Sequence, residues 1–255
     1  MAVEAVGAPG PKPSAQASPG RAWWIEPALT VLAYSAFVVY ATWAVFNGKT
    51  AYAAPYLSPF DSPSFGVLRL PTGYLLPLLA AIPLALRATC YYYRKSYYRA
   101  FFWDPPACAI AEVRKRRYRG ETRFPFVLSN LHRYALILTV LVTIVLWADV
   151  VRAFDFKGHF GIGLGTVIML VNVVLLTLYT GTCHSLRYLA GGSVDCYSCA
   201  RAGRLRHRIS SLLNRLNPQH GAWAWYSMFS VGLTDVYIRL LQSGVLQDPR
   251  WILHP

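Results

Sequence analysis

The chain has 255 residues, of which 55% are hydrophobic, 15% aromatic and 14% charged. Soluble globular domains carry roughly 25% charged residues, so the composition excludes an ordinary soluble fold. The aromatic content excludes disorder over most of the chain, and five cysteines are too few for a disulfide scaffold. We therefore predict an all-α integral membrane protein with several transmembrane helices.

The first 24 residues are rich in Ala, Pro, Gly and Ser, which predicts a disordered N-terminal tail. Residues 25–255 are predicted to form one transmembrane domain. Five apolar runs are long enough for the roughly 20 helical residues that cross a bilayer. These runs lie near 27–46, 68–91, 134–153, 162–188 and 222–243.

The net charge of +14 is unevenly distributed along the chain. Sixteen of the 25 Lys and Arg residues lie in segments 94–133 and 187–215, which a five-span topology places on one side of the membrane. The loops on the opposite side contain few Lys and Arg residues, namely Lys49, Arg152 and Lys157. Because cytoplasmic loops collect Lys and Arg, we predict a cytoplasmic N-terminus and a C-terminus outside. The same asymmetry explains the basic charge without nucleic-acid binding.

Cysteine and histidine residues gather at the predicted cytoplasmic ends of the helices. Cys90 closes the second span, Cys108 follows in the basic loop, His132 opens the third span, and Cys183 and His184 lie near the end of the fourth. Two thiolates and two imidazoles suit a tetrahedral zinc ion or a Rieske-type [2Fe–2S] cluster, and two histidines alone suit one b-type haem. The simpler alternative is that the cysteines are buried apolar side chains and the histidines face headgroups.

Cys196 and Cys199 form a CxxC pair in the next predicted cytoplasmic loop, with His207 as a weak further partner. Such spacing occurs in zinc and redox sites, but no second CxxC lies near it. We interpret the pair as part of a structural or variable loop. Since every cysteine is predicted on the reducing side of the membrane, structural disulfides are not expected.

Five ordered stretches carry a family resemblance. They are ATCYYYRKSYYRAFF at 88–102, PPACA at 105–109, GETRFPFVLSNLHRY at 120–134, TCHSLRY at 182–188 and DVYIRL at 235–240. Over roughly residues 25–250 the chain resembles the membrane-anchor subunit of actinobacterial succinate dehydrogenases, especially the mycobacterial type. These enzymes belong to the succinate:quinone oxidoreductases.

The resemblance implies a bundle of five transmembrane helices in the bacterial plasma membrane. The anchor would dock a flavoprotein subunit and an iron–sulfur subunit, and a further small membrane subunit could complete the bundle. Electrons from succinate would pass through FAD and iron–sulfur clusters in the partners to a membrane quinone, with relatives pointing to menaquinone. No flavin motif or succinate site can be assigned to this chain, so the substrate-oxidising site is expected in a partner.

Single-chain five-helix members of the family typically bind two haems through four histidines. This chain departs from that pattern, because His159 alone lies near the outer ends of spans three and four. The resemblance favours instead an anchor-held Rieske-type [2Fe–2S] cluster. Its predicted ligands are Cys90, Cys108, His132 and His184, with Cys183 in reserve. A b-haem on His132 and His184 is the alternative, and a non-redox membrane scaffold or transporter is the alternative from another class.

Quinone reduction needs hydrogen-bond donors, a flat apolar slot and a supply of protons. Candidates at the cytoplasmic edge are Tyr91, Tyr93, Ser129, Arg133, His220, Trp223 and Tyr226. For the Trp and Tyr residues an interfacial aromatic belt is the alternative.

Three ionisable residues lie deeper in the predicted spans: Asp149, Asp235 and Arg239. Asp149 is followed by Arg152 at i+3, and Asp235 by Arg239 at i+4, which are spacings that allow ion pairs on one helix face. A structural role for these pairs is the simpler interpretation. The alternative is a proton route through Asp149 and Asp235 from the outer side to a second quinone site.

Overall fold

The computed structural model describes residues 22–62, 72–103, 122, 124, 126–192 and 194–253, and this part of the chain is mostly helical. The predicted tail, 1–24, lies outside it apart from residues 22–24, which form a turn. The helices are α1 (Ile25–Phe46), α2 (Thr72–Thr89), α3 (Tyr91–Phe102), α4 (His132–Arg152), α5 (Leu164–Gly181), α6 (His184–Arg187), α7 (Gly203–Leu216) and α8 (His220–Gln242). Short turns of 3₁₀ helix precede α4 at Phe126–Leu131 and α8 at Asn217–Gln219, and one π-turn covers Tyr188–Gly192.

Three stretches in the described part of the chain are long and apolar enough to cross a membrane. They are Ile25–Phe46, Val127–Arg152 and Leu164–Gly181. Large apolar side chains such as Leu32, Val39 and Leu141 are exposed on them, as expected for helices that face lipid. The fold is thus that of an all-α membrane protein.

Two of the predicted spans end earlier than the apolar runs. The run at 68–91 ends as a helix at Thr89, and the run at 162–188 ends at Gly181. In both places the next cysteine, Cys90 or Cys183, has extended backbone (ψ 130° and 139°) and begins a new helix. Each apolar run is therefore interrupted by a Thr–Cys turn.

The long helices pack side by side, with α8 against α5 and α1, and α4 against α2 and α5. One end of this bundle carries small antiparallel strands: β1 (Tyr52–Ala53), β2 (Tyr56–Leu57), β3 (Asp155–Phe156), β4 (His159–Gly163) and β5 (Arg250–Ile252). The first two form a hairpin, and β3, β4 and β5 form a sheet in that order. The Tyr56 hydroxyl donates to Asp248, 2.6 Å away, which ties the hairpin to the C-terminal segment.

The other end of the bundle carries α3, α6 and α7, whose arginines include Arg94, Arg99, Arg204 and Arg208. A buried cluster closes the bundle at this end. It contains Leu86, Cys90, Tyr93, Ala135, Leu136, Tyr179, Cys183, Ala224 and Met228. The cysteines are thus part of the core rather than of a loop surface.

Cys196 and Cys199 form a disulfide, with Cα atoms 5.4 Å apart. The expectation that structural disulfides are absent is therefore wrong for this pair. The physical reason is local, because the turn at residues 197–199 brings the two Cα atoms within the separation that a disulfide requires. Cys90 and Cys183 are free thiols.

Candidate redox centre

The two buried thiols lie at the same end of the bundle, one at the end of α2 and one at the end of α5. Each is only 3% exposed. Each follows a threonine that closes the preceding helix or its cap: Thr89 before Cys90, and Thr182 before Cys183. The extended backbone of each cysteine turns its side chain from the helix end into the core.

Two histidines complete the group, and each is the first residue of a long helix. His132 begins α4 and His220 begins α8. The His132 Nε2 atom lies 3.0 Å from Cys183 Sγ, and the His220 Nε2 atom lies 3.5 Å from Cys90 Sγ. The structure therefore brings together two cysteine–histidine pairs from four different helix ends.

The outer nitrogen of each imidazole faces a threonine hydroxyl. His132 Nδ1 is 2.9 Å from Thr89 Oγ1, and His220 Nδ1 is 2.9 Å from Thr182 Oγ1. His220 is 5% exposed, and its ring stacks on Tyr179 with centroids 5.1 Å apart. These contacts hold both rings with their Nε2 atoms directed at sulfur.

Within the described residues, no three His, Cys, Asp or Glu side chains gather as a single metal ion would require. The donors lie instead as two pairs. A Rieske-type [2Fe–2S] cluster takes two cysteines on one iron and two histidines on the other. Two thiols and two imidazoles are therefore the donor types of such a cluster, whereas in this structure each cysteine contacts a histidine rather than the other cysteine.

The structure changes the predicted ligand set. Cys108 lies outside the described residues. His184 is exposed, and its ring centroid lies 6.5 Å from that of His220. Cys183, predicted only as a reserve, is buried beside His132, and His220, predicted as a quinone contact, lies beside Cys90.

Adjacent residues on a helix point about 100° apart, so only one of Cys183 and His184 can face the core. Cys183 is that residue. Burial raises the pKa of the Cys183 thiol, whereas burial and the nearby Arg187 lower the pKa of His184. His184 is the solvent-facing residue of the two. The sequence did carry a signal for His220 as a ligand, because His220 lies at the start of a predicted span, as His132 does.

Arg87 is a buried cation that sequence reasoning missed, because it lies inside the apolar run of α2. It is 8% exposed and donates hydrogen bonds to Tyr93 Oη, to Ser227 Oγ (3.0 Å) and to the Ala224 carbonyl (3.2 Å). Its guanidinium also lies 4.7 Å from the centre of the Tyr179 ring, which in turn stacks on His220. Within the described part of the chain it has no carboxylate partner.

An apolar cleft of about 610 Å³ opens between α1, α2, α3 and α8. Arg87 and Tyr93 are in its lining. The rest of the wall is mainly apolar and includes Phe37, Val38, Ala41, Leu84, Phe101 and Met228. The cleft thus has an apolar wall and one cation, Arg87. Arg87 contacts the Tyr179 ring, and that ring contacts His220 of the cysteine–histidine pairs.

Few of the predicted quinone residues lie at this cleft. Tyr93 is buried there, but Tyr91 is 62% exposed on the outside of α3, and Tyr226 is 57% exposed. Ser129 accepts a hydrogen bond from Arg94 at 3.0 Å, and Arg133 is exposed.

Trp223 contacts Tyr226 edge-on, with ring centroids 6.3 Å apart, and it packs against the buried cluster that contains Cys90. It is not part of the cleft lining. His220 belongs to the cysteine–histidine pairs, as described above. The structure therefore brings only Tyr93 of the predicted set into the cleft.

The deep carboxylates lie at the opposite end, in contact with the segment that follows β2, residues 58–62. Asp235 is fully buried and accepts from Tyr40, Ser58 and Arg239, whose Nε is 2.8 Å away. Asp149 accepts from Ser62 and from Arg152 at 3.2 Å. The two helical ion pairs thus form at the predicted spacings. Their hydrogen bonds to Ser58 and Ser62 fasten the segment after β2 to α8 and α4.

The fold and these contacts define a multi-pass membrane protein with a cysteine–histidine group at one end and an apolar cleft beside it. Comparison with known families shows which family the chain belongs to. Residues 25–244 match the model of the actinobacterial succinate dehydrogenase subunit SdhC, and the chain belongs to that family. It is accordingly a subunit of the succinate dehydrogenase complex in the bacterial plasma membrane.

A solved structure supports the same conclusion. The chain is similar to a chain of the Mycobacterium smegmatis Sdh1 complex in the apo form, with 37% sequence identity and a TM-score of 0.81. The match covers 94% of this chain and 95% of the other. A comparison with curated proteins finds no match.

Proposed function

We propose that this chain docks the flavoprotein and iron–sulfur subunits of succinate dehydrogenase and carries electrons from them to a membrane quinone. The observation that supports this most strongly is the pairing of Cys90 with His220 and of Cys183 with His132. These four residues would hold a Rieske-type [2Fe–2S] cluster. FAD, the succinate site and further iron–sulfur clusters would lie in the partners.

A bound cluster would supply a one-electron relay between the partners' centres and the bilayer. The residues of this chain would shield and orient the ligands. Burial excludes water from Cys90, Cys183 and His220, and the stacked Tyr179 ring fixes His220. Membrane quinones have apolar tails, so their reduction must take place in an apolar slot at this level.

The cleft beside Arg87 is the proposed quinone site. Arginine has five N–H donors, and the three hydrogen bonds seen within the described residues leave capacity for a quinone carbonyl oxygen. The apolar wall would cover the quinone ring, while the cation would stabilise the negative charge that develops as electrons arrive. Reduction of a quinone takes up two electrons and two protons, the same number that succinate releases.

The topology is part of the proposal. The five helices α1, α2, α4, α5 and α8 would cross the membrane, with the N-terminus in the cytoplasm and the C-terminus outside. This orientation puts the cysteine–histidine pairs and the arginine-bearing α3 and α7 on the cytoplasmic side. The basic surface there would meet an acidic face of the partner subunits.

The haem alternative gains no support from the geometry. His132 Nε2 faces the Cys183 sulfur at 3.0 Å rather than a second imidazole, and His184 is exposed. Haem ligation by this pair would require both rings to turn away from their present partners.

The proposal is tested by comparing two activities of the intact complex. Reduction of a soluble dye by succinate reports on the flavoprotein alone, whereas reduction of a quinone analogue also requires the anchor. For Cys183→Ala we expect dye reduction to persist in the membrane fraction and quinone reduction to fall at least 100-fold. His184→Ala is the matched control and should keep both activities. Full quinone reduction by Cys183→Ala would refute the proposal.

A further inference from the structure

The two Thr–Cys turns have the same hydrogen-bond geometry. Thr89 Oγ1 lies 2.7 Å from the Ala85 carbonyl oxygen, and Thr182 Oγ1 lies 2.7 Å from the Leu178 carbonyl oxygen. In both cases the acceptor is four residues earlier on the same helix. Each hydroxyl also contacts the Nδ1 atom of a histidine from another helix, at 2.9 Å.

These contacts fix the direction of every hydrogen bond in the group. A carbonyl oxygen only accepts, so each threonine must donate its single hydroxyl proton to it. The hydroxyl can then only accept from the histidine, which places the imidazole proton on Nδ1. The lone pair of each ring is consequently on Nε2, the atom that faces sulfur.

Each Thr–Cys turn contributes to both cysteine–histidine pairs. Thr89 orients His132, which faces Cys183 of the other turn, and Thr182 orients His220, which faces Cys90 of the first. Each turn thus contributes one thiol to one pair and one orienting hydroxyl to the other pair.

We propose that Thr89 and Thr182 are positioning residues that hold His132 and His220 in the metal-binding tautomer, one threonine for each imidazole. The inference rests on the proposed cluster function and adds to it a residue-by-residue assignment of the outer contacts. Histidine ligands depend on such outer hydrogen bonds, whose loss typically lowers metal affinity 10- to 100-fold.

A purely structural role is the competing explanation, because threonines often bond to the carbonyl four residues earlier. The chain offers a matched control for it. Thr139, buried in α4, makes the same bond to the Ala135 carbonyl at 2.7 Å, and among the described residues its hydroxyl contacts no histidine. Thr139→Val therefore removes the helix bond alone, whereas Thr89→Val and Thr182→Val also release an imidazole.

The test uses the intact, reduced complex and two measurements. Pulsed electron paramagnetic resonance detects nitrogen nuclei of imidazoles bound directly to iron, which clusters held by cysteine alone do not show. Iron retention during incubation with a chelator measures how firmly the cluster is held. The variants are Thr89→Val, Thr182→Val, the conservative Thr89→Ser and Thr182→Ser, and Thr139→Val.

We expect Thr89→Val to change one nitrogen coupling and Thr182→Val to change the other, with iron lost at least 10-fold faster in each. The serine variants and Thr139→Val should match the wild type. If a valine variant does not assemble, Thr89→Ala and Thr182→Ala replace it. Valine or alanine variants with wild-type couplings and iron retention would overturn the inference but leave the proposed function intact. A wild-type complex without imidazole couplings would overturn both.

Discussion

At the scale of single residues, Arg87 shows how an apolar run can conceal a functional side chain. It lies in α2 and is buried, and among the described residues it is held by Tyr93, Ser227 and the Ala224 carbonyl rather than by a carboxylate. A buried cation is costly, and in a membrane protein it commonly marks a functional site. Its place in the cleft lining makes it the residue on which the proposed quinone site mainly rests.

We predict that Arg87→Leu raises the KM for quinone by about 10- to 100-fold, because a hydrogen bond to a charged group contributes about 1.5–3 kcal/mol. The measurement is quinone reduction by the intact complex at varied quinone concentration. Tyr91→Phe is the control, since Tyr91 was a sequence candidate but is 62% exposed outside the cleft. A rise in KM for Tyr91→Phe with none for Arg87→Leu would place the quinone elsewhere.

The sequence could not supply the pairing of the ligands. Cys90 and His220 are 130 residues apart, and their contact depends on the packing of α3 against α8 and on the hydrogen bonds of Arg87 in α2 to α8. The residue types of the ligands and their approximate level in the membrane were predictable, because cysteines and histidines lie near the ends of several predicted spans. The choice of Cys183 over His184 required the local geometry of the turn after α5, which periodicity does not encode.

At the scale of helices and strands, the start of α8 is held by a close approach to α3. A Cβ atom on Gly221 would lie 2.6 Å from the Tyr92 ring, so glycine permits the contact that places the neighbouring His220. The Tyr92 hydroxyl also accepts a hydrogen bond from the Trp225 indole at 3.2 Å. Moving the Tyr92 ring would therefore disturb two contacts beside the centre.

We predict that Gly221→Ala destabilises the purified complex by about 1–3 kcal/mol through overpacking. Gly232→Ala is the matched control in the same helix, because a Cβ atom there meets nothing within 4 Å. Alanine at that position should be neutral or stabilising by up to about 1 kcal/mol. Thermal unfolding followed by loss of quinone reduction measures both. Equal effects of the two variants would argue against the tight contact.

The helices themselves were largely predictable. The apolar runs place α1, α4 and α8 within a few residues, because roughly 20 apolar residues leave few alternatives to a span. The ends of α2 and α5 differ because an apolar run carries no signal for the Thr–Cys turn. The short strands and the disulfide were also missed, since both arise from loop geometry.

At the scale of the whole molecule, the two ends of the bundle differ in chemistry. One end has the hairpin, the three-stranded sheet and hydrogen-bonded carboxylates such as Asp235. The other has the cysteine–histidine pairs and the arginine-bearing helices α3 and α7. The charge asymmetry along the sequence predicted this division, and in the proposed topology the arginine-bearing end faces the cytoplasm.

We predict that a reporter enzyme active only outside the cytoplasm is active when fused after residue 253 and inactive when fused within 194–202. The five-span topology requires this result, because the two positions lie on opposite sides of the membrane. Western blotting of both fusions controls for expression. The reverse pattern would invert the topology and place the cysteine–histidine pairs outside.

The proposed cluster in the membrane anchor has Cys90, Cys183, His132 and His220 as its ligands. Pulsed electron paramagnetic resonance of the dithionite-reduced intact complex is the most direct measurement of this ligand set. We expect imidazole nitrogen couplings in the wild type and in His184→Ala, and their change or loss in Cys183→Ala and His220→Ala. Couplings that survive in His220→Ala but vanish in His184→Ala would contradict the ligand assignment, and a wild type without them would contradict the cluster itself.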